Sequence, residues 1–591
     1  MKRIAMAALL FLALLAGCSS PGPKAENKET RPGTVEDAGN TLEPAGQAPP
    51  AQTRMTRKAL PASPTGAVPG RGASARETRT KSLVHGTTTD LQAARPALLP
   101  MVAAPAWNRE SYDPRQETGF VNAARDPLST FSIDVDTAGY ANVRRFVQNG
   151  SLPPAGAVRI EEMVNAFAYD YPRPQGSEPL ALSAEVGPSP FHRDYRLVRI
   201  GLSARDLARE ELPPANLVFL VDVSGSMQDA NKLPLLQQAL ALLVRQLGER
   251  DRVALVVYAG TDRVVLPPTA GNQQERILAA IDSLQAGGST HGSSGIRTAY
   301  ELARQSFLAG ATNRVILASD GDFNVGVTSR DELQQLIEQE RRHGVYLSVL
   351  GFGRGNYRDD TMELLADKGN GNYAYIDSLL EANRVLVREM SGTLFTLAND
   401  VKIQVEFNPA RVGAYRLIGY ENRALADEAF RDDTRDAGEV GVGHRVTALY
   451  ELIPAGHAAV PRFDPLRYRQ PAAEPAGGST ELLTVKLRYK PQGKTASTGM
   501  SLPVVDSDSG RNSVDFRFAA AVAGYGLLLI DSPHLGAFTW EQCLELARSG
   551  RGADPEGERA ELYRMVAASQ LLANRQNQRP QEETGTLPVL R

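Results

Sequence analysis

The chain has 591 residues, too many for one hydrophobic core, so at least two folded domains are expected. Its 65 basic and 68 acidic side chains leave a formal net charge of -3, which excludes the strongly basic profile of a dedicated nucleic-acid binder. Two cysteines, Cys18 and Cys543, exclude a disulfide framework and a cysteine-based zinc site.

The chain begins MKRIAMAALLFLALLAGCSS. Lys2 and Arg3 form a positive n-region, Ile4 to Leu15 form an apolar stretch too short to span a membrane, and Ala16 and Gly17 precede Cys18. Residues 1–17 therefore read as a signal peptide. The LAGC stretch resembles the bacterial lipobox. That resemblance implies cleavage before Cys18 and lipidation of its thiol, and Ser19 in place of Asp implies the outer membrane. Acyl chains anchor by burying methylenes at roughly 0.8 kcal/mol each. Residues 18–107 are rich in Pro, Ala, Gly, Thr and Arg, poor in aromatics and without a sustained period, which predicts a disordered tether. As a flexible coil, about 85 residues span about 50 Å root-mean-square.

Order is expected to resume near residue 108. Residues 129–150 read as a strand and a helix, 160–171 as a helix, and 180–189 with 195–204 as a β-hairpin, all within an N-terminal domain over 108–212. The pattern then changes to strands alternating with helices. Strands are predicted at 216–222, 252–259, 262–266, 313–319, 345–351 and 372–376. Helices are predicted at 230–248, 272–284, 293–308, 330–342, 359–367 and 378–395. Continuous apolar strands such as NRVILAS imply a mostly parallel sheet covered on both faces, an α/β domain over 213–396. A period of two returns in 401–408, 415–421, 444–452 and 481–489, which read as antiparallel strands. Helices follow in 514–529, 538–548 and 557–576, completing a β-rich and helical domain over 397–580 before a tail at 581–591. Cys543 reads as a small buried hydrophobe on an amphipathic helix. The stretch FAAAVAGYGLLLI (518–530) is too short for a membrane span and reads as core. A hairpin needs further strands to be stable, so strands 180–204 are expected to pair with strands in 401–489, with the α/β domain inserted between them.

In parallel α/β sheets, ligands bind at the carboxyl ends of the strands. LVFLVDVSGSM (217–227) puts Asp222, Ser224 and Ser226 at such an end, and VILASDGDFNVG (315–326) adds Asp320 and Asp322. QAGGSTHGSSGI (285–296) is a Gly/Ser loop centred on Thr290. Hydroxyls and carboxylates without nitrogen or sulfur suit a hard cation, Mg²⁺ or Mn²⁺. This order of DxSxS, Thr and Asp resembles the von Willebrand factor A (VWA) domain and its metal-ion-dependent adhesion site, over about residues 214–395. The resemblance implies that Ser224 and Ser226 bind the metal directly, and Thr290 directly or through water. It implies that Asp222 and Asp320 act through water, and that a partner protein's Asp or Glu fills the one open position. Ser319-Asp320-Gly321 stands where the family usually has Thr-Asp-Gly, and His291 reads as a surface-loop residue. DPLSTFSIDVDTAGYANVRRF (126–146), together with the LASDGDFNVG loop, is similar to a family of bacterial VWA lipoproteins with an N-terminal region and a family-specific C-terminal domain. That similarity implies a cell-envelope protein.

The expected function is non-enzymatic: a lipid-anchored module that uses Mg²⁺ to hold an acidic residue of a protein partner. Two other readings compete. Asp134 and Asp136 in FSIDVDTAGY (131–140) resemble the DxDxT nucleophile of haloacid-dehalogenase-type phosphatases. No α/β core fits around residues 120–175, however, so capping or inter-domain contacts are the expected role. The remaining reading is a metal-free envelope scaffold. GFGRGN (351–356) has the wrong spacing for a nucleotide loop and reads as a strand-to-helix turn, and no Gly-x-Ser-x-Gly or His-Glu-x-x-His motif occurs.

Overall fold

Strands that are apolar at every position must be covered on both faces. Six strands form the central sheet: β1 (Ala215–Asp222), β2 (Arg252–Ala259), β3 (Thr261–Ala270), β4 (Thr312–Ser319), β5 (Val345–Phe352) and β6 (Tyr373–Ile376). Across the sheet they run β6-β5-β4-β1-β2-β3. All neighbours are parallel except β2 and β3. Leu217, Phe219 and Val221 pack with helices α1 (Leu233–Val244) and α2 (Gln274–Asp282). Val218 and Leu220 pack on the other face with α3 (Gly292–Gln305), α4 (Arg330–Arg342) and α5 (Asp359–Lys368). This computed structural model describes Tyr112 and residues 116–288, 292–321, 330–353, 359–435, 437–464, 479–506 and 512–578. All of them belong to the unit Leu99–Arg591. The segments expected to form the signal peptide and the tether, residues 1–107, lie wholly outside the described residues.

The flanking segments share two antiparallel sheets. One runs in the order Val121–Asn122, Val412–Ile418, Arg445–Pro454, Arg196–Ala204, Leu180–Pro188. The other runs Ala424–Leu425, Leu128–Ser132, Thr396–Phe407, Glu481–Pro491, Thr498–Val505. Gly438–Gly441 also pairs with Thr396–Phe407. Phe131, Ile200, Val405, Tyr450 and Leu487 belong to one core between these sheets. The expected pairing across the α/β domain is present: the ladder runs from Leu452 opposite Arg196 to Arg445 opposite Ser203. The α/β domain is thus an insertion in a sandwich built from both flanks. Helices Ala138–Gln148 and Ile160–Asn165 pack with Val514–Leu529, Trp540–Ser549 and Glu558–Gln578 in a third core. Cys543 is fully buried there, its Sγ 3.4 Å from the Ala521 carbonyl, and burial pushes its thiol pKa up. Among the described residues, no helix is long and apolar enough to cross a membrane.

Three elements differ from the sequence expectation. The helix expected over 160–171 stops at Asn165, because Phe167, Tyr169 and Tyr171 are buried as anchors in non-helical chain. Tyr169 bonds the Val164 carbonyl at 3.0 Å and Tyr171 pairs with Thr447 Oγ1 at 2.7 Å. The helix expected over 378–395 breaks into Leu379–Asn383, a π-turn over Arg384–Arg388 and Met390–Leu394. There the buried Arg384 guanidinium meets Glu381, Glu389 and Thr137. The strand expected over 262–266 extends to Thr261–Ala270, with register shifts against β2.

Buried arginines join the insertion to its frame. Arg144 donates to Asp377 at 2.6 and 2.7 Å, to Glu381 at 2.8 Å and to Glu561 at 3.1 Å, so it touches the α/β domain and the last helix together. Arg423 donates to Asp367 of α5 at 2.8 Å and to Asp134 and Asp136 at 3.3 Å each. Asp136 also accepts the Tyr373 amide of β6 at 2.8 Å. Asp134 and Asp136 therefore act as inter-domain contacts. They sit in an ionic network, away from the carboxyl end of the parallel sheet, and the phosphatase reading is not favoured. Replacing Arg423 with Ala leaves Asp134, Asp136 and Asp367 without the guanidinium that faces them. Breaking such a buried pair costs about 3–5 kcal/mol. A denaturant titration of Arg423→Ala should show a midpoint lowered accordingly, and an unchanged midpoint would contradict the clamp.

Candidate functional site

The parallel register of β1 on β4 pairs Val221 with Ala318, so the next residues, Asp222 and Ser319, leave the sheet side by side. Asp222 is fully buried. Its Oδ1 accepts the Ser224 amide at 2.9 Å. Its Oδ2 accepts the Ser319 hydroxyl at 3.1 Å and the Tyr258 hydroxyl at 3.3 Å. These contacts of the Asp222 carboxylate hold the following loop in one shape: Ser224 is extended, and a single 3₁₀ turn follows over Gly225–Gln228. Ser224 Oγ and Ser226 Oγ lie 3.0 Å apart. The neighbouring Gly-rich loop is tied to this one, through Gly225 N to the Gly288 carbonyl at 3.1 Å and Gly287 N to the Val223 carbonyl at 2.8 Å. Those bonds place the stem of the Thr290 segment against the serines. Thr290, His291 and Asp322 themselves lie outside the described residues, as does Cys18.

Asp320 is buried just beyond the end of β4. Gly321 follows it at φ 90°, a conformation that favours glycine, and its amide donates to Ser319 Oγ at 3.2 Å. The structure therefore brings Asp222, Ser224, Ser226 and Asp320 to adjacent strand ends. It also brings a residue that the sequence reading overlooked. Lys232 Nζ donates to Asp320 Oδ2 at 2.9 Å and to the Ser226 carbonyl at 2.9 Å. The available signal was its position. Lys232 precedes the apolar run of α1 as its N-cap, where a cation opposes the helix dipole and needs an anion nearby.

The donor set consists of hydroxyls and carboxylates, which suits a hard cation. Adjacent ligands of an octahedral Mg²⁺ at roughly 2.1 Å are about 3 Å apart, and the two serine hydroxyls have that separation. Among the described residues no group of three or more His, Cys, Asp and Glu could hold a metal. A metal at this site would rest on hydroxyls, with carboxylates in support.

Burial pushes the Asp222 carboxyl up to about 6, with Asp320 adding to the shift and hydrogen bonds from Ser224 and Ser319 opposing it. Burial likewise raises the Tyr258 hydroxyl well above its usual range.

A parallel-centred sheet with DxSxS after its first strand and Asp after its fourth defines a VWA domain, and the family profile described as "von Willebrand factor type A domain" matches residues 216–388. Profiles described as "von Willebrand factor" and "Uncharacterized protein YfbK, C-terminal" match residues 106–199 and 392–572. The protein described as "Uncharacterized protein YfbK" from Escherichia coli (strain K12) is 45% identical over 452 residues, covering 75% of this chain and 78% of that one. The chain belongs to the YfbK family of bacterial VWA-domain proteins. The Magnesium-chelatase 67 kDa subunit of Chlorobaculum tepidum is 29% identical over 181 residues, 27% of this chain and 28% of that protein. A solved structure titled "von Willebrand factor type A from Catenulispora acidiphila" is 14% identical, covers 63% of this chain and 87% of its own, and has a TM-score of 0.36.

The raised Asp222 carboxyl has a consequence for stability without metal. Its folded pKa of about 6 exceeds the ordinary 3.8. The stability linked to its proton is therefore fully present below about pH 4 and is lost as pH rises through about 6. Asp222→Asn removes that loss. In chelator at pH 8 the variant should be more stable than wild type by roughly 2–3 kcal/mol, with the difference vanishing near pH 4. Thermal unfolding across this pH range checks both limbs.

Proposed function

We propose that the protein is a non-enzymatic, metal-dependent protein-binding lipoprotein of the bacterial cell envelope, anchored in the outer membrane through Cys18. The observation that carries the metal part is the convergence of Asp222, Ser224, Ser226 and Asp320 at adjacent ends of β1 and β4, with two hydroxyls 3.0 Å apart. Ser224 and Ser226 would hold Mg²⁺ (or Mn²⁺) directly. Thr290 would join them directly or through water, and Asp222 and Asp320 would support the ion from behind as hydrogen-bond acceptors. When bound, the ion supplies an electrophilic position for an outside oxygen. The protein's own part is to orient hydroxyls and exclude other ligands. Asp222 is locked by Ser224, Ser319 and Tyr258, and that lock fixes the direction of the serines. With few anionic direct ligands, the site favours an Asp or Glu presented by a partner protein.

The anchor rests on the sequence: a short apolar segment, LAGC, and Ser19 after the cysteine. The tether over 18–107 would let the folded part stand off the membrane by tens of ångströms.

The test is calorimetric titration of the full-length protein with Mg²⁺, beside Asp222→Ala and Ser224→Ala/Ser226→Ala. Wild type should bind, and both variants should lose binding while remaining folded. A folded wild type that takes up no Mg²⁺, with or without acetate, would count against the metal site and favour a metal-free scaffold. In cells, Cys18→Ser should move the protein from the membrane fraction to the soluble one, and its retention on the membrane would contradict the lipid anchor.

A further inference from the structure

The Lys232 ammonium sits on Asp320 Oδ2 and on the Ser226 carbonyl, at 2.9 Å from each. From this placement we propose that Lys232 is a built-in counter-cation that weakens metal binding until a partner's carboxylate joins. The proposal rests on the metal-binding reading above and adds a rule for when the metal stays.

The seat of Lys232 is built and costly. The residue is 5% exposed. It stands at the N-cap of α1 and makes no capping bond through its side chain there. An ammonium at a helix N-terminus is opposed by the dipole, and burying it costs desolvation. Its aliphatic stem fits because residue 353 is a glycine. Gly353 has φ 83°, and a Cβ there would collide with Lys232 Cε and lie 2.6 Å from its Cγ. The Gly353 carbonyl is held in turn by the Tyr375 hydroxyl. The backbone is thus shaped to admit a long cationic side chain that local helix physics disfavours. Asp320 is the group that offsets the cost. The exposed Asp229 carboxylate lies 3.9 Å away on the solvent side.

The ammonium changes the charge a metal would meet. Asp222 and Asp320 together offer two negative charges, and Lys232 cancels one of them. It also holds the Ser226 carbonyl, the backbone of one hydroxyl ligand. A dication brought beside a fixed cation is repelled strongly at short range in a partly buried site. An added carboxylate restores the missing negative charge. Metal and acidic partner therefore bind cooperatively, and each raises the affinity of the other. The metal is then held more weakly by the free protein than by the complex.

The test compares full-length wild type, Lys232→Met and Lys232→Arg by calorimetry with Mg²⁺ alone and with Mg²⁺ in excess acetate, the acetate standing for a partner carboxylate. Circular dichroism checks that each protein is folded. Lys232→Met should bind Mg²⁺ alone at least about tenfold tighter than wild type. Acetate should raise the affinity of wild type by about fivefold or more, and that of Lys232→Met much less. Lys232→Arg keeps the charge and should stay with wild type. If wild type binds Mg²⁺ but Lys232→Met binds it equally or more weakly, Lys232 is a structural prop: the counter-cation proposal is overturned and the metal site stands. If no folded protein binds Mg²⁺ under either condition, the metal site falls, and the proposal with it.

Discussion

The architecture depends on the antiparallel ladder between Arg196–Ala204 and Arg445–Pro454, which closes the chain on either side of the α/β domain. Two strands far apart in sequence must meet in register before either sheet edge is satisfied. Once they do, the entry to β1 and the exit after β6 are fixed relative to one frame. The same closure recurs in the second sheet, where Leu128–Ser132 pairs with Thr396–Phe407. Long-range pairing of this kind is entropically expensive to form. It returns a domain whose two connections cannot swing independently.

Hydrogen-bonded ladders position the ends of the insertion, and buried arginines set its orientation. Arg144 reaches three carboxylates and Arg423 four, and those partners come from different segments of the chain. A planar guanidinium suits this task because its donors are held in a fixed fork, whereas lysine offers a compact point charge. Such networks are weak arguments for net stability, since desolvation consumes much of the attraction. Their effect is directional, because misplacing the α/β domain would strand several buried carboxylates. Asp134 and Asp136, which on sequence alone imitate a phosphatase nucleophile, belong to this network.

Much of this was legible in the sequence for physical reasons. β1 and β4 carry runs of consecutive apolar residues, Leu217–Val221 and Val315–Ala318, because both of their faces are buried. The insertion was legible because a lone hairpin at 180–204 has nowhere else to bury its face. Asp222, Ser224, Ser226 and Asp320 were legible because polar oxygens at the end of an apolar strand need a reason to be there. The edge strand Thr498–Val505 was not legible: Met500, Leu502 and Val504 alternate with exposed neighbours, but Gly499 and Pro503 punctuate the run as a loop would. The π-turn at Arg384–Arg388 was hidden because LLEANRVLVREM keeps helical periodicity, whereas contacts from distant Thr137 and Arg144 reach Arg384 and Glu381 there. The aromatic run after Asn165 imitated a helix because anchoring side chains were counted as a stripe. Lys232 was passed over because a single lysine reads as solvated surface.

Lys232 also shows how frame and site depend on each other. The ammonium can sit on Asp320 only if β1, β4 and the turn after β5 keep their spacing, since its stem passes Gly353 with no room for a Cβ. That spacing belongs to the sheet, whose edge is held at Asp377 by Arg144 and at the Tyr373 amide by Asp136, itself paired with Arg423. A surface lysine would drift with solvent and be screened by salt. A buried one is held on Asp320 and on the Ser226 carbonyl, so its influence on a cation beside them would change little with ionic strength. If the proposed metal binds, a rigid frame is what would let one carboxylate without a cationic partner, rather than two, face it, and would leave the balance of charge to be completed from outside.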